Sequence, residues 1–161
     1  MAVVQPSETP QRSATGRVAG IDYGTVRIGI AISDSRRALA SPLENYNRRS
    51  PQVDGAHLAR LAKEEQVTLF VVGLPVRNDG QESKKSLEVR RFGAWLTQVT
   101  GVPVEYFDER FTSREAQQIL GAASLSKQKR KARLDMLAAQ ILLSAYLEAP
   151  GGSSAPAPLD D

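Results

Sequence analysis

Residues 67–75, VTLFVVGLP, form an unbroken apolar run that stops at Gly73 and Pro75. A strand apolar on both faces must be covered on both sides, and the usual cover is the crossover helix of a parallel connection. The preceding segment supplies one, since Val53, Leu58, Leu61 and Ala62 recur at helical spacing between Gln52 and Glu65. A helix that feeds a buried strand restricts the chain to an α/β layered domain.

The remaining elements fit that class. RVAGID and RIGIAISD read as two strands of a hairpin joined after Gly24, and LASPLENYN as a third strand whose Pro42 favours an edge position. An Asn-Asp-Gly turn in VRNDGQESKK leads to a helix from about Ser83 to Thr100, with Gly101 as its C-cap. VPVEYFDER is the next strand. FTSREAQQILGAA opens a helix with Thr112 or Ser113 as N-cap, and the basic segment SLSKQKRKARLD leads into a last apolar helix, DMLAAQILLSAYLEA. The expected order is ββ(β)αβαβαα around a mixed sheet. Residues 1–15, rich in Pro, Ser, Thr and Gln, and 149–161, low-complexity Pro, Gly, Ala and Ser, read as disordered tails about a single domain over 16–148.

Composition removes several chemistries. With no cysteine and a single histidine, His57, the chain of 161 residues has no thiol nucleophile, no zinc ribbon and no material for a Ser-His-Asp triad. The apolar runs are too short to span a membrane and the N-terminal residues lack the apolar centre of a signal peptide, so a cytoplasmic protein is expected. A formal net charge of +3 with locally clustered Lys and Arg leaves an acidic polymer open as partner.

Carboxylates stand in apolar surroundings at three places along the chain. Asp22 ends a buried strand, where Asp also serves as an ordinary turn residue. Asp108 and Glu109 end another, where an exposed end paired with Arg110 is the simpler reading; strand alternation sends them to opposite faces and leaves open which one points at a site. Asp135 lies in a helix that is apolar on nearly every side, as a first-turn cap or dipole partner or as a ligand. Polar groups at strand ends collect along one edge of an open α/β sheet. Two such carboxylates and one from a covering helix would form an oxygen-rich pocket suited to Mg²⁺ or Mn²⁺, the ions of phosphodiester cleavage without His or Cys. Gly24 would let the backbone turn close to a ligand, with Arg27 placed to meet a phosphate beyond it. Lys127, Lys129, Arg130, Lys131 and Arg133 crowd ahead of Asp135, as a solvated charge run or as a surface that neutralises a nucleic-acid backbone.

GIDYGTVRIGIAISD, VVGLPVRNDGQES, FDERFTSREA and KRKARLDMLAAQILLSAYL resemble, in order and spacing, the motifs of the YqgF/RuvX family, ribonuclease H-like proteins classed as pre-16S rRNA nucleases and Holliday junction resolvases; the match covers about residues 17–148. The resemblance implies a ribonuclease H-like α/β fold, a mixed five-stranded sheet flanked by helices. It implies Asp22, Glu109 and Asp135 as the catalytic, metal-binding triad, and so prefers Glu109 over Asp108. It places Arg27, Asn78, Arg110, Thr112, Lys129 and Arg130 near the nucleic acid or as supports of the site, with Lys131 added to the basic grip, and Gly73 and Gly80 beside Gly24 as backbone turns near the substrate. Ser113 stands where many relatives have Thr, which keeps the hydroxyl. The implied activity is a Mg²⁺- or Mn²⁺-dependent endonuclease that processes the end of precursor 16S ribosomal RNA. A four-way DNA junction is the alternative substrate, for which a homodimer would deliver paired cuts. A non-catalytic RNA-binding assembly factor is the second alternative. Asp-X-Gly-Thr also opens the phosphate loop of sugar kinases and actin-like ATPases, but those enclose the nucleotide between two such domains and this chain has room for one.

Overall fold

The computed structural model describes residues 16–77, 79–111 and 127–149, with the backbone alone for 111 and 127–134. The expected tails over 1–15 and 150–161, Asn78, and the helix expected over FTSREAQQILGAA with Thr112 all lie outside the described residues.

Five strands form one sheet: β1 (Arg17–Tyr23), β2 (Arg27–Ser33), β3 (Ala40–Asn47), β4 (Val67–Leu74) and β5 (Val104–Asp108). Their spatial order is β3-β2-β1-β4-β5. The β1–β2 and β2–β3 pairs are antiparallel, and β1–β4 and β4–β5 are parallel. The apolar run is thus β4, bonded to parallel neighbours on both sides and covered on both faces, as its composition requires. The hairpin and the third strand stand where they were expected, and Pro42 does lie on an outer strand.

Helices α1 (Pro51–Glu64) and α2 (Lys84–Thr100) cover one face. Their ends follow local rules. The Ser50 hydroxyl accepts from the Val53 N–H at 3.2 Å, with Pro51 opening the first turn. Ser83 and Ser86 cap the start of α2 reciprocally, and Gly101, at φ 73°, ends it with its N–H on the Thr97 carbonyl at 2.8 Å. Ile21, Ile28, Ile30, Phe70, Val72, Leu58 and Leu96 are fully buried in this layer.

Helix α3 (Lys127–Glu148) covers the other face, burying Ala139, Leu142, Leu143 and Tyr146 against Val18, Ala31, Val71 and Phe107. It differs from expectation at its start. The basic run is no segment ahead of the helix but its first two turns, because Lys, Gln and Arg are themselves strong helix formers. Asp135 therefore sits inside the helix, and the reading of it as a first-turn cap falls. At the other end Ala149, expected in the tail, closes the helix with its N–H on the Ala145 carbonyl at 3.1 Å.

Two glycines seat α3 on the sheet. A Cβ on Gly20 would lie 2.9 Å from Leu143 Cβ and 3.0 Å from the Ala139 carbonyl oxygen, and one on Gly29 only 2.1 Å from the Asp135 carbonyl oxygen. Backbone cannot yield there as a flexible side chain would. Gly29→Ala is expected to cost about 2 kcal/mol or more, read as a lower urea midpoint. Gly101→Ala, where a Cβ meets nothing within 4 Å, should cost about 1 kcal/mol through its positive φ alone.

Candidate active site

The C-terminal ends of β1, β4 and β5 lie along one edge of the sheet, since the three run parallel. Asp22 stands near the end of β1, paired across the ladder with Gly29. On its other side the last bridged pair is Ile21 with Val72, so Gly73 follows as its neighbour on β4. Each flanking glycine admits one of the other two acids. Gly29 is pressed against the backbone of Asp135, and Gly73 lies beneath the side chain of Glu109, whose Oε1 stands 2.8 Å from where a Cβ would be.

Glu109 is not a strand residue. It opens a 3-10 turn (Glu109–Phe111) just past β5, so strand alternation does not govern it. Asp108, the last residue of β5, is 2 % exposed and held in the Arg110 fork, with Arg110 Nε 2.8 Å and Nη2 2.6 Å from its Oδ2.

The electrostatics single out Asp22. Burial first, and then the charges of Glu109 and Asp135, push its pKa up to about 7, while the Lys85 ammonium acts in the opposite sense. Among the described residues no hydrogen-bond donor reaches its carboxylate. Burial likewise raises Glu109, opposed by Lys85 and assisted by Asp108. Asp135 is compensated instead by a cation, with Arg27 Nε 3.1 Å from its Oδ2. Among the described residues no three Asp, Glu or His side chains converge tightly enough to ligate an ion as they stand. The donor set nevertheless has the right chemistry. A half-buried carboxylate without a donor, coupled to two more, consists of hard oxygen ligands short of positive charge, which suits Mg²⁺ or Mn²⁺ and not zinc.

Several expected contact residues are placed differently. Arg27, expected at a phosphate, bonds Asp135, and Arg110, expected at the substrate, bonds Asp108 and reaches the Arg77 carbonyl at 3.4 Å. The space kept clear at Gly24 belongs to the turn itself, for a Cβ there would lie 2.4 Å from the Arg27 carbonyl oxygen. Gly73 lies in β4 rather than in a turn. Gly80, at φ 82°, does stand in one, with its N–H on the Arg77 carbonyl at 2.8 Å. Lys129, Arg130 and Lys131 fall on the opening turns of α3, Lys131 one turn before Asp135; their side chains, like all of Asn78 and Thr112, lie outside the described residues.

Three residues went unread in the sequence. Lys85, in the first turn of α2, counters both Asp22 and Glu109. Arg48 reaches the Tyr23 hydroxyl and the Gly24 carbonyl, each at 3.3 Å, and so holds the turn that follows Asp22. Arg48 is backed at 3.5 Å by Asp54, which is 2 % exposed. Burial alone would raise Asp54, yet hydrogen bonds from the Arg49 N–H and the Tyr46 hydroxyl, with Arg48, hold its pKa below the ordinary value. A lone Asp in a helix and a lone Arg in a loop carry no pattern; only the fold joins them.

The sequence model of the RuvX family, described as Holliday junction resolvase, matches residues 16–149. A Rhodopirellula baltica protein named "Putative pre-16S rRNA nuclease" is 49% identical over 136 residues, 84% of this chain and 79% of that one. A Koribacter versatilis protein of the same name is 38% identical over 136 residues, 84% and 89% of the two chains. In fold, the chain resembles T. thermophilus RuvC in complex with Holliday junction substrate, with a TM-score of 0.52 and 16% identity over 79% of this chain and 91% of that one. No helix among the described residues is long and apolar enough to cross a membrane.

The raised Asp22 pKa fixes the sign of a pH effect. Because the folded value of about 7 lies above the ordinary 3.8, the folded chain keeps this proton longer than the unfolded one. The stabilisation is full below pH about 4 and is lost as pH rises through about 7. Chelator-treated protein should therefore lose on the order of 2 kcal/mol between pH 5 and 8, and Asp22→Asn should flatten that loss. An equally steep fall in the variant, measured by urea unfolding, would count against the charge repulsion described.

Proposed function

Because this chain belongs to the RuvX family, and so to a nuclease family that is generally divalent-metal dependent, we propose that Asp22, Glu109 and Asp135 are its catalytic, metal-holding acids and that it cleaves precursor 16S ribosomal RNA. The observation that carries this reading is Asp22: a half-buried carboxylate with a pKa near 7, no described donor and two acids beside it. Such a group is destabilising unless a cation arrives. A bound Mg²⁺ or Mn²⁺ would supply Lewis acidity at the phosphodiester and acidify a water at neutral pH.

The chain itself does the positioning. Gly73 fixes Glu109 beside Asp22, and Gly29 fixes the backbone of Asp135 on the other side. Arg27 holds Asp135 in an ion pair, and Lys85 tempers the charge of Asp22 and Glu109. Lys129, Arg130 and Lys131 are the proposed grip on the nucleic-acid backbone, and Asn78, Arg110 and Thr112 its supports. Precursor RNA is preferred on the names of the relatives. The description of the family as Holliday junction resolvase supports a four-way DNA junction as the second substrate, for which a homodimer is proposed.

The test compares parent and Asp22→Asn on precursor 16S RNA and on a synthetic junction, each with Mg²⁺, Mn²⁺ or chelator. Cleavage of the RNA should depend on the ion and fall at least about 10³-fold in the variant, roughly 4 kcal/mol of barrier. Equal cleavage by both proteins overturns the assignment, and cleavage of the junction alone moves the substrate to DNA. Cells that tolerate Asp22→Asn but not loss of the chain would point to a non-catalytic assembly role. Asp54→Asn should leave the acids in place yet loosen Arg48 and the turn at Gly24, lowering kcat by about tenfold with ion affinity unchanged, a split read from ion titrations of the rate.

A further inference from the structure

The face of the sheet opposite α3 carries a feature that cleavage does not use. Among the described residues β3 is an outer strand. Between it and α1 runs an open groove of about 630 Å³ whose walls include Tyr46, Arg49, Gln52, His57 and Arg60. A hollow of about 230 Å³ continues it past His57 and Arg60 to Glu64 and Glu65.

The groove brings together three kinds of group. Its cations are Arg49 and Arg60, both exposed and without an ion pair among the described residues, whereas Arg17, Arg27, Arg48, Arg77, Arg90 and Arg110 are all paired. Its flat surface is the imidazole of His57. One face of that ring stacks on Tyr46, with centroids 4.1 Å apart and planes at 11°, and its Nε2 is tied to Glu44 Oε2 at 2.9 Å. The ring is held in one plane while 29% of the side chain stays accessible, which makes it a fixed platform rather than a swinging arm. Its hydrogen-bonding groups come from the strand edge. The Arg48 N–H is turned inward to the Val26 carbonyl at 2.9 Å, so the alternation of an antiparallel ladder turns the backbone of Asn47 outward into the groove.

We infer that this groove binds a short single-stranded stretch of nucleic acid flanking the bond to be cut, an inference that rests on the nuclease reading. Arg49 and Arg60 take phosphates, the His57 ring takes a base by stacking, and the Asn47 amide and carbonyl meet a base edge. The groove joins the active edge through Arg48, which neighbours Arg49 and touches the Gly24 carbonyl. At its far end Glu64 and Glu65 turn the charge acidic and limit the track. An outer strand also suits an extended peptide, but two guanidiniums without an ion pair among the described residues and continuity with the acid cluster favour a polynucleotide.

The test uses the full chain. On an Asp22→Asn background, Arg49→Gln with Arg60→Gln should weaken binding of a short labelled single-stranded oligoribonucleotide by about tenfold and make its salt dependence shallower by roughly 1.4 in log–log slope. His57→Gln should weaken it without changing that slope; its thermal unfolding is checked against the parent, with His57→Phe as the variant that restores stacking. In the active chain the arginine pair should raise KM for a substrate with a single-stranded flank and leave cleavage of a flush substrate unchanged. Unaltered affinity, an equal loss for a blunt duplex, or protection of the groove by an extended peptide but not by RNA would each overturn the inference. Failure of the nuclease reading shows separately, as cleavage that survives Asp22→Asn, because the affinity comparison needs no turnover.

Discussion

The arrangement depends on one close approach: the backbone of α3 resting on the strands at Gly29 and Gly20. A helix packed through ordinary side chains stands about 10 Å from the sheet it covers, whereas glycine lets main chain meet main chain. The approach brings Asp135 to the ladder position opposite Asp22, and the buried contacts of Leu143 and Ala139 follow from the same seating. Moving the helix outward by one methyl group would separate the acids and open the layer beneath it together.

Such proximity has an electrostatic cost, and the fold distributes it unevenly. Among the described residues Asp135 is relieved by Arg27, and Asp108 by Arg110. Asp22 is left to burial and to like charge, and its proton affinity rises accordingly. Local rules elsewhere agree with the fold, as the caps of α1 and α2 do. A conflict confined to one strand end is the pattern expected where binding has been favoured over stability.

What the sequence disclosed was largely what is encoded locally. Apolar continuity predicted β4, Gly101 marked the end of α2, and small and β-branched residues marked the hairpin. Glu109 was legible only through family resemblance, because one residue of 3-10 turn beyond β5 is enough to defeat strand alternation. The start of α3 was missed because the charged run was read as a segment ahead of the helix, although Lys, Gln and Arg favour a helix. Arg27 was read as a phosphate ligand since its partner lies 108 positions away. Gly24 was assigned to a ligand when its own turn fills the space. Lys85, Arg48 and Asp54 carry no sequence signature, and their roles arise from pairings that exist only after the layers close.

Arg27 and Lys85 give the acid cluster an unusual balance. Among the described residues three carboxylates face these two cations, so each acid that ionises here adds negative charge to an edge already crowded with it. A divalent ion held there would do more than relieve that crowding: it would shift the local field toward positive, and so favour the approach of a phosphate that the acids alone repel. Such an ion would act as a licence for an anionic polymer to approach, with Arg27 and Lys85 already carrying part of the opposing charge.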